Sequence, residues 1–204
     1  MAMGRPREFD IDEAVAAALP LFIEKGYEGA TFGELIAAMG IKPPSFYAAF
    51  GNKEGLFRFV MKLYADRGAP IVADALSQPT AYRAIERLLR LTADADTDPT
   101  RPAGCLYVQG ALSCSDKAVD IRDELKVLRT AAEPLLEARI EQAFYEGDAS
   151  IEGVPRKLAR YVSTVIQGLA VQAAGGSTRT DLHEIVDVVL DNLSRHHIIL
   201  TSDE

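Results

Sequence analysis

The sequence predicts an all-α protein of about nine helices in two parts. Apolar residues recur every three or four positions along most of the chain, and an alternation of period two is nowhere sustained. Residues that begin helices (threonine, asparagine) and residues that end them (glycine, proline) fall between these periodic segments. The 204 residues are 48% hydrophobic, which is enough for a sizeable core.

The first helix is predicted over residues 11–25. Its apolar stripe consists of Ala14, Ala17, Ala18, Leu21 and Phe22. Pro20 removes one backbone hydrogen bond within this span, which predicts a bend. A break is not expected, because the apolar spacing continues across the proline.

A helix-turn-helix is predicted next. Thr31 with Glu34 is an S/T-x-x-E capping box, so a second helix begins after the threonine, and Gly40 ends it. Pro44 suits the first turn of a third helix that ends near Phe50. Two short helices joined by a tight turn are the layout that places the end of a helix in a DNA groove.

The remaining elements are helices separated by glycine, proline and polar segments. The fourth helix begins at Asn52 and is expected to be interrupted at residues 68–70 before a short continuation to Leu76. Residues 93–103 hold two prolines and are predicted to be a loop. The other helices are predicted to start at Thr80 and to cover residues 104–113, 118–145 (with a kink at Pro134), 155–174 and 180–195.

A series of anchor residues runs through this first part in one uninterrupted order. It follows a basic arm at residues 4–7 and consists of Phe22, Gly26-Tyr27, Thr31, Gly40-Ile41, Ser45-Phe46-Tyr47, Phe50, Lys53-Glu54 and Leu56. The series resembles the tetracycline-repressor (TetR) family of bacterial transcription regulators over a little over a quarter of the chain. The resemblance implies a helix-turn-helix DNA-binding domain at residues 1–55. It also implies a helical effector-binding and dimerisation domain at residues 56–204.

The resemblance also implies which residues contact operator DNA. Thr31, Tyr47 and Lys53 would contact phosphates, since a hydroxyl, a phenol and a lysine near helix starts are good phosphate partners. The remaining DNA-binding candidates are Arg5 and Arg7 on the arm and Lys42, Pro43, Pro44 and Ser45 at the front of the third helix. The alternative is that Tyr47 is an aromatic residue of the core and that Lys53 is a solvated residue at a helix cap.

The charge of the chain limits how it can attract DNA. The formal net charge is −8, and residues 1–60 hold six basic against eight acidic side chains. Attraction must therefore come from the placement of a few basic residues. We expect modest affinity per monomer, a need for a dimer, and steep weakening by salt.

The last two helices are too apolar to be surface helices without a partner. In the family the partner is the same helix pair of a second subunit, which gives a four-helix bundle and a homodimer. The interface candidates are Tyr161, Val165, Gly168, Leu169, Leu182, Ile185, Val186 and Val189. The alternative is packing within one chain only.

A cavity for an unknown small-molecule effector is implied within the carboxy-terminal helices. Candidate lining residues are Met61, Tyr64, Cys105, Tyr107, Gln109, Tyr145 and Gln167. The two glutamines are included because an amide inside an apolar helix is costly unless it is hydrogen-bonded. The alternative for each is a satisfied core residue or an exposed one.

The two cysteines do not form a disulfide framework. Cys105 is predicted at a helix start, where the dipole lowers the pKa of a thiol, so redox sensing is an alternative to a plain buried cysteine. Cys114 is nine residues away, on the opposite face of a continuous helix. The histidines lack metal-ligand spacing, and no cofactor is expected.

The function predicted is a ligand-responsive, DNA-binding transcription regulator, most simply a repressor that an effector releases from a palindromic operator. No P-loop, Rossmann fingerprint or nucleophile elbow occurs in the sequence, so an enzyme is not expected. There is no apolar run of about 18 residues, so we expect a cytoplasmic protein with no membrane partner. The alternatives are a binding module without DNA recognition and a cysteine-based redox regulator.

Overall fold

The computed structural model describes residues 9–112 and 118–200. Within these ranges the chain forms ten α-helices and no β-strand, which confirms the all-α prediction. The helices are α1 (Ile11–Gly29), α2 (Phe32–Met39), α3 (Pro43–Phe50), α4 (Lys53–Leu76), α5 (Ala81–Asp96), α6 (Leu106–Leu112), α7 (Val119–Thr130), α8 (Ala132–Tyr145), α9 (Pro155–Ala174) and α10 (Arg179–Leu200).

Local signals in the sequence set the ends of the first four helices. The Thr31–Glu34 capping box is present in full, and Gly40 ends α2 in the left-handed conformation. The side chain of Asn52 accepts a hydrogen bond from the backbone N–H of Gly55 and so caps α4. Helix α1 continues through Pro20, and its only non-helical residue is Gly26, at φ 69°.

The first hydrophobic core, which we call the amino-terminal core, is rich in aromatic rings. Phe22 and Phe57 are fully buried and meet edge to face, with ring centroids 4.8 Å apart. Phe46 of α3 is also fully buried and packs edge to face on Phe32 of α2 at 5.0 Å. Side chains from beyond α4 complete this core, namely Leu106, Ile121 and Leu125.

The second core, which we call the carboxy-terminal core, is built around α5. This helix contacts α4, α8, α9 and α10, and its Ile85 and Leu89 are fully buried. Leu136 and Ile140 of α8 pack into the same cluster. Helix α4 reaches this core through Ala75, so one continuous helix belongs to both cores.

Three predicted boundaries in the carboxy-terminal part were wrong. Helix α4 is not interrupted at residues 68–70, because tertiary packing on both sides of the exposed Pro70 outweighs the cost of one lost hydrogen bond. Helix α5 extends to Asp96, into the predicted loop. The helix predicted over residues 118–145 is two helices that meet at Ala131.

No helix in the described part of the chain is long and apolar enough to cross a membrane.

Candidate nucleic-acid interface and ligand cavity

Helix α3 presents one face to the core and the other to solvent. Phe46 and Phe50 are buried, and they fix the helix on the amino-terminal core. Lys42, Pro43 and Pro44 at its front are exposed, and Ser45 is half-buried. The predicted contact residues at the front of α3 therefore form a small projecting surface that the described part of the subunit does not cover.

Tyr47 lies on the exposed face of α3 and not in the core. Its side chain is 56% exposed, and its ring stacks on Phe32 with centroids 5.5 Å apart and planes 24° from parallel. This stacking orients the phenol while leaving its hydroxyl accessible. A rigid, exposed hydroxyl on α3 is suited to hydrogen-bond a phosphate oxygen.

Lys53 is a half-buried residue at the first position of α4. Its Nζ atom donates to the carbonyl oxygen of Glu28 at 3.2 Å and lies 4.9 Å from the centroid of the Tyr27 ring. Burial lowers the pKa of the Lys53 amine, against the opposing effect of the Glu28 carboxylate. Because an ammonium has three N–H donors, two remain for another acceptor. The solvated-cap alternative therefore does not describe this residue.

Thr31 has its hydroxyl proton already committed within the subunit. The Thr31 hydroxyl donates to Glu34 Oε2 at 2.7 Å, and its oxygen accepts from the backbone N–H of Glu34 at 3.3 Å. Hydrogen bonding from Lys25, and then from the backbone and hydroxyl of Thr31, lowers the pKa of Glu34 to about 2. A phosphate at this hydroxyl would have to displace a carboxylate, which weakens the argument for Thr31 relative to Tyr47.

The last turn of α3 is pressed directly against the start of α4. A Cβ atom placed on Gly55 would lie 2.0 Å from the carbonyl oxygen of Phe50, far inside any permissible contact. Gly55 is therefore required for this close approach, and it fixes the angle between the two helices.

Arg5 and Arg7, the candidates on the basic arm, lie outside the described residues.

The dimer-interface candidates divide into two groups. Tyr161, Gly168 and Ile185 are exposed and Val165 is half-buried, so these four lie on the outward side of α9 and α10. The structure contradicts the other four, because they are buried in the carboxy-terminal core of their own subunit: Leu169, Leu182, Val186 and Val189. Apolar content alone did not separate the two sides of each helix.

Two further valines complete the outward side. Val171 is 50% exposed on α9, and Val188 is 61% exposed on α10. Val171 follows Gly168 by three residues, and Val188 follows Ile185 by three. Residues three apart lie on the same side of a helix, so this spacing could have identified both valines from the sequence. We call this set of Tyr161, Val165, Gly168, Val171, Ile185 and Val188 the outward apolar face.

A cavity of about 200 Å³ lies between α4, α5, α6, α7 and α9. Four of the seven predicted pocket residues line it, namely Tyr64, Cys105, Tyr107 and Gln167. The rings of Tyr64 and Tyr107 pack edge to face with centroids 4.9 Å apart, and the Tyr107 hydroxyl donates to the carbonyl oxygen of Met61 at 3.4 Å.

The other three pocket candidates do not line the cavity. Met61 is buried in the amino-terminal core, because α4 turns this side chain toward α1. Tyr145 ends α8 and is 94% exposed. Gln109 is on α6 but is not among the lining residues, and its amide nitrogen lies against Gly104.

Burial dominates the electrostatics of the cavity wall. It raises the pKa of the Tyr64 hydroxyl, of the Cys105 thiol, and of Tyr107 to about 12. The predicted lowering of the Cys105 pKa by a helix start was therefore wrong: the pKa of this half-buried thiol is raised, against the opposing effect of its hydrogen bond with Tyr64. Cys114 lies outside the described residues.

Sequence reasoning missed the charged residues of the cavity. Asp96 lines it with a side chain only 3% exposed, and burial raises the pKa of its carboxyl to about 7, opposed by Arg101. Arg67 and Arg129 also line it. Asp96 was missed because its segment was predicted to be a loop, and neither arginine was among the predicted pocket residues. Among the described residues, no three His, Cys, Asp or Glu side chains are placed to hold a metal ion.

Comparisons with known proteins agree with this architecture. Residues 14–60 match the family model for bacterial regulatory proteins of the tetR family. The chain is 32% identical to the HTH-type transcriptional repressor ComR of Escherichia coli K12 over 189 residues, 92% of this chain and 90% of ComR. It is 38% identical to the repressor BdcR of the same organism over 120 residues, 58% of this chain and 60% of BdcR.

Solved structures show the same likeness. One is the TetR family transcriptional regulator CifR, as a cysteine mutant complexed with 26-bp double-strand operator DNA. Its chain is 37% identical, with a TM-score of 0.87 over 92% of this chain and 98% of CifR. From its sequence and its structure, this chain belongs to the TetR family of bacterial regulatory proteins.

Proposed function

We propose that this protein is a transcriptional repressor that binds operator DNA as a homodimer and is released by a small-molecule effector. The observation that carries the proposal is the exposed front of α3, held rigidly on an aromatic core. Two relatives, ComR and BdcR, are named as repressors, and CifR was solved on operator DNA.

The proposed DNA surface combines phosphate and base contacts. Tyr47 and Lys53 position the subunit on the phosphate backbone, with two N–H groups of Lys53 available for this. Lys42 donates to guanine N7 or O6, while Pro43 and Pro44 pack against thymine methyl groups. Ser45 contributes a hydrogen bond, Thr31 does so only when a phosphate displaces the Glu34 carboxylate, and Arg5 and Arg7 of the arm add positive charge.

The proposed dimer uses the outward apolar face of α9 and α10. Side chains as large as Tyr161, Val171 and Val188 are each at least 41% exposed there. Apolar groups spaced along two adjacent helices are what a four-helix interface with a second copy would bury. Two subunits related in this way would carry their reading helices about 34–36 Å apart, to successive major grooves.

Helix α4 connects the cavity to the proposed DNA surface, so we propose that it carries the change that releases the operator. Its start holds the reading helix through Gly55, and its second half lines the cavity through Tyr64 and Gly68. An effector that binds better to the conformer with displaced reading helices opposes DNA by an equal coupling free energy, typically about 1–3 kcal/mol. The raised pKa of the half-buried Cys105 thiol gives no support to the redox-sensing alternative.

Fluorescence anisotropy with labelled DNA from the protein's own promoter region tests the proposal. Tyr47→Ala and Lys53→Ala should each weaken binding about tenfold or more at fixed salt. The matched controls are Tyr145→Ala, an exposed tyrosine at the end of α8, and Lys126→Ala, an exposed lysine on α7. Equal affinity of all four variants, or no salt-dependent binding to any duplex, would contradict the DNA assignment and favour a binding module without DNA recognition.

A further inference from the structure

The cavity wall holds two buried polar atoms that have no hydrogen-bond partner among the described residues. They are Oδ2 of Asp96, at the end of α5, and Nε of Arg129, in the last turn of α7. A buried polar group without a partner costs about 1–3 kcal/mol. Both residues line the same cavity, so a side-chain rotation toward the cavity would bring each unsatisfied group to a bound molecule.

The two residues need opposite kinds of partner. A carboxyl as deeply buried as that of Asp96 needs a hydrogen-bond donor when it is ionised, and rotation about its Cβ–Cγ bond exchanges which oxygen faces the cavity. A guanidinium has donors only, so Arg129 needs an acceptor, best an anionic one. A ligand that satisfies both must carry a donor group and an acid group at separate positions.

The charge of the lining favours an anion. Three arginines (Arg67, Arg101 and Arg129) and one aspartate line the cavity, so this site is positive in a chain whose net charge is −8. Arg101 donates to the backbone carbonyl oxygen of Ala95, and its charge opposes the rise in the pKa of Asp96. Arg67 and Arg129 form no ion pair with any described residue, whereas Arg58, Arg87 and Arg90 each pair with a carboxylate.

The body of the ligand is limited by the size and chemistry of the space. A cavity of about 150 Å³ is known to hold benzene, so one of about 200 Å³ accommodates one ring with small substituents. The Tyr64–Tyr107 pair and the aliphatic side chains Ile71, Val72 and Ile166 provide flat and apolar walls. The body between the two polar groups is therefore apolar and about the size of one ring.

We propose that the effector cavity takes a small hydroxy-substituted carboxylic acid of about one ring in size. Its hydroxyl donates to the Asp96 carboxyl, and its carboxylate is bound by the guanidinium groups of Arg129 and Arg67. The inference rests on the proposed function, since it names the chemical class of the effector that would release the operator.

Calorimetric titration of the full-length protein with matched probes tests this inference. The probes are 4-hydroxybenzoate and 4-hydroxyphenylacetate, which differ in length by one methylene, together with benzoate, phenol and toluene. At least one hydroxy acid should bind ten or more times tighter than benzoate and phenol. Saturable binding of toluene at equal affinity, or binding of neither hydroxy acid at millimolar concentration, would overturn the proposal.

Variants then assign the two polar contacts. Arg129→Gln should weaken the binding of the hydroxy acid at least tenfold while leaving phenol within twofold. Asp96→Ala should weaken the hydroxy acid and leave benzoate unchanged or tighter. The control Arg156→Gln alters an exposed arginine at the start of α9, outside the cavity, and should change neither. Equal losses for every probe in both variants would show that they act only on the fold, and would contradict the assignment.

Operator binding measured on the same samples without probe separates the two proposals. Intact operator binding with no hydroxy-acid binding overturns the effector class alone. Hydroxy-acid binding by a protein that binds no duplex overturns the repressor assignment and leaves the cavity assignment standing.

Discussion

The two halves of helix α4 serve opposite needs. In the first half Leu56, Phe57 and Val60 are fully buried in the amino-terminal core. In the second half Tyr64, Gly68 and Ile71 border an open cavity. The first half is packed to hold one shape, whereas the second borders unfilled space. The comparison indicates that the DNA-reading part was built for rigidity and the carboxy-terminal part for adaptability.

The difference has a physical basis in what each side chain touches. Close-packed aromatic rings gain dispersion energy on all sides and transmit displacement without deforming. Side chains on a cavity wall lack neighbours on one side, so they can adjust when a molecule enters. Helix α4 therefore stabilises the fold through its first half, and its second half can adjust to a bound molecule.

The largest expected effect is on a pair of leucine truncations that compares the two cores directly. Leu56→Ala removes a fully buried side chain from the amino-terminal core, and Leu88→Ala one from the cavity wall. Leu→Ala costs about 2–5 kcal/mol, depending on the space left behind. We expect Leu56→Ala in the upper half of that range and Leu88→Ala in the lower half, by urea unfolding at fixed protein concentration. The reverse order would show that the cavity wall is packed at least as tightly as the amino-terminal core.

Asp96→Asn tests the electrostatic cost stored in the cavity wall. Because burial raises the pKa of Asp96 from 3.8 to about 7, the folded state binds more protons than the unfolded state between these values. Stability contributed by this group therefore falls as pH rises from about 4 to about 7, by at most on the order of 4 kcal/mol.

The asparagine variant removes this dependence. It should be more stable than the wild type at pH 8, and its free energy of unfolding should fall less between pH 4 and pH 7. Chemical denaturation at a series of pH values measures both quantities. A wild-type curve and a variant curve of the same shape would show that Asp96 is ionised in the folded protein throughout this range.

A smaller effect is expected at the surface of the rigid part. Thr31→Ala removes the side-chain half of the capping box of α2, which should destabilise the protein by about 1 kcal/mol. Thr31→Ser keeps the hydroxyl and is the matched control. If the alanine variant unfolds at the same urea concentration as the serine variant, the cap does not contribute to the stability of the helix-turn-helix.

The smallest effect is expected at an exposed ion pair between α4 and α7, on the surface of the amino-terminal core. The Arg58 guanidinium on α4 contacts the Glu124 carboxylate on α7 at 2.8 Å, and both side chains are more than a third exposed. A double-mutant cycle with Arg58→Ala and Glu124→Ala should give a coupling of about 0.2–1 kcal/mol, reduced by salt. A larger, salt-independent coupling would mean that this pair contributes more to the amino-terminal core than an exposed ion pair does.

The same contrast decides what the sequence could predict. The amino-terminal part follows local chemistry, so the Thr31–Glu34 box, Gly40 and Asn52 located the helix ends correctly. In the carboxy-terminal part tertiary packing overrides local signals, as at Pro70, and the end of α5 was placed too early. Among the site residues, the exposed positions of α3 were placed as expected.

The cavity residues Asp96, Arg67 and Arg129 were not predicted, since they come together only through long-range packing. The sides of α9 and α10 could not be assigned for a related reason. When both sides of a helix are apolar, periodicity cannot tell the side buried within the chain from the side left for a partner.

The uninterrupted course of α4 past Pro70 makes this helix a long lever. The stretch from Lys53 to Val72, the last residue of α4 on the cavity wall, spans about 28 Å, so a rotation of about 5° there would carry the Lys53 end about 2.5 Å sideways. Since Gly55 leaves no slack between the lever and the reading helix, that displacement would pass to α3 undiminished. Small adjustments around a molecule the size of one ring would thus be amplified to the scale of a groove contact.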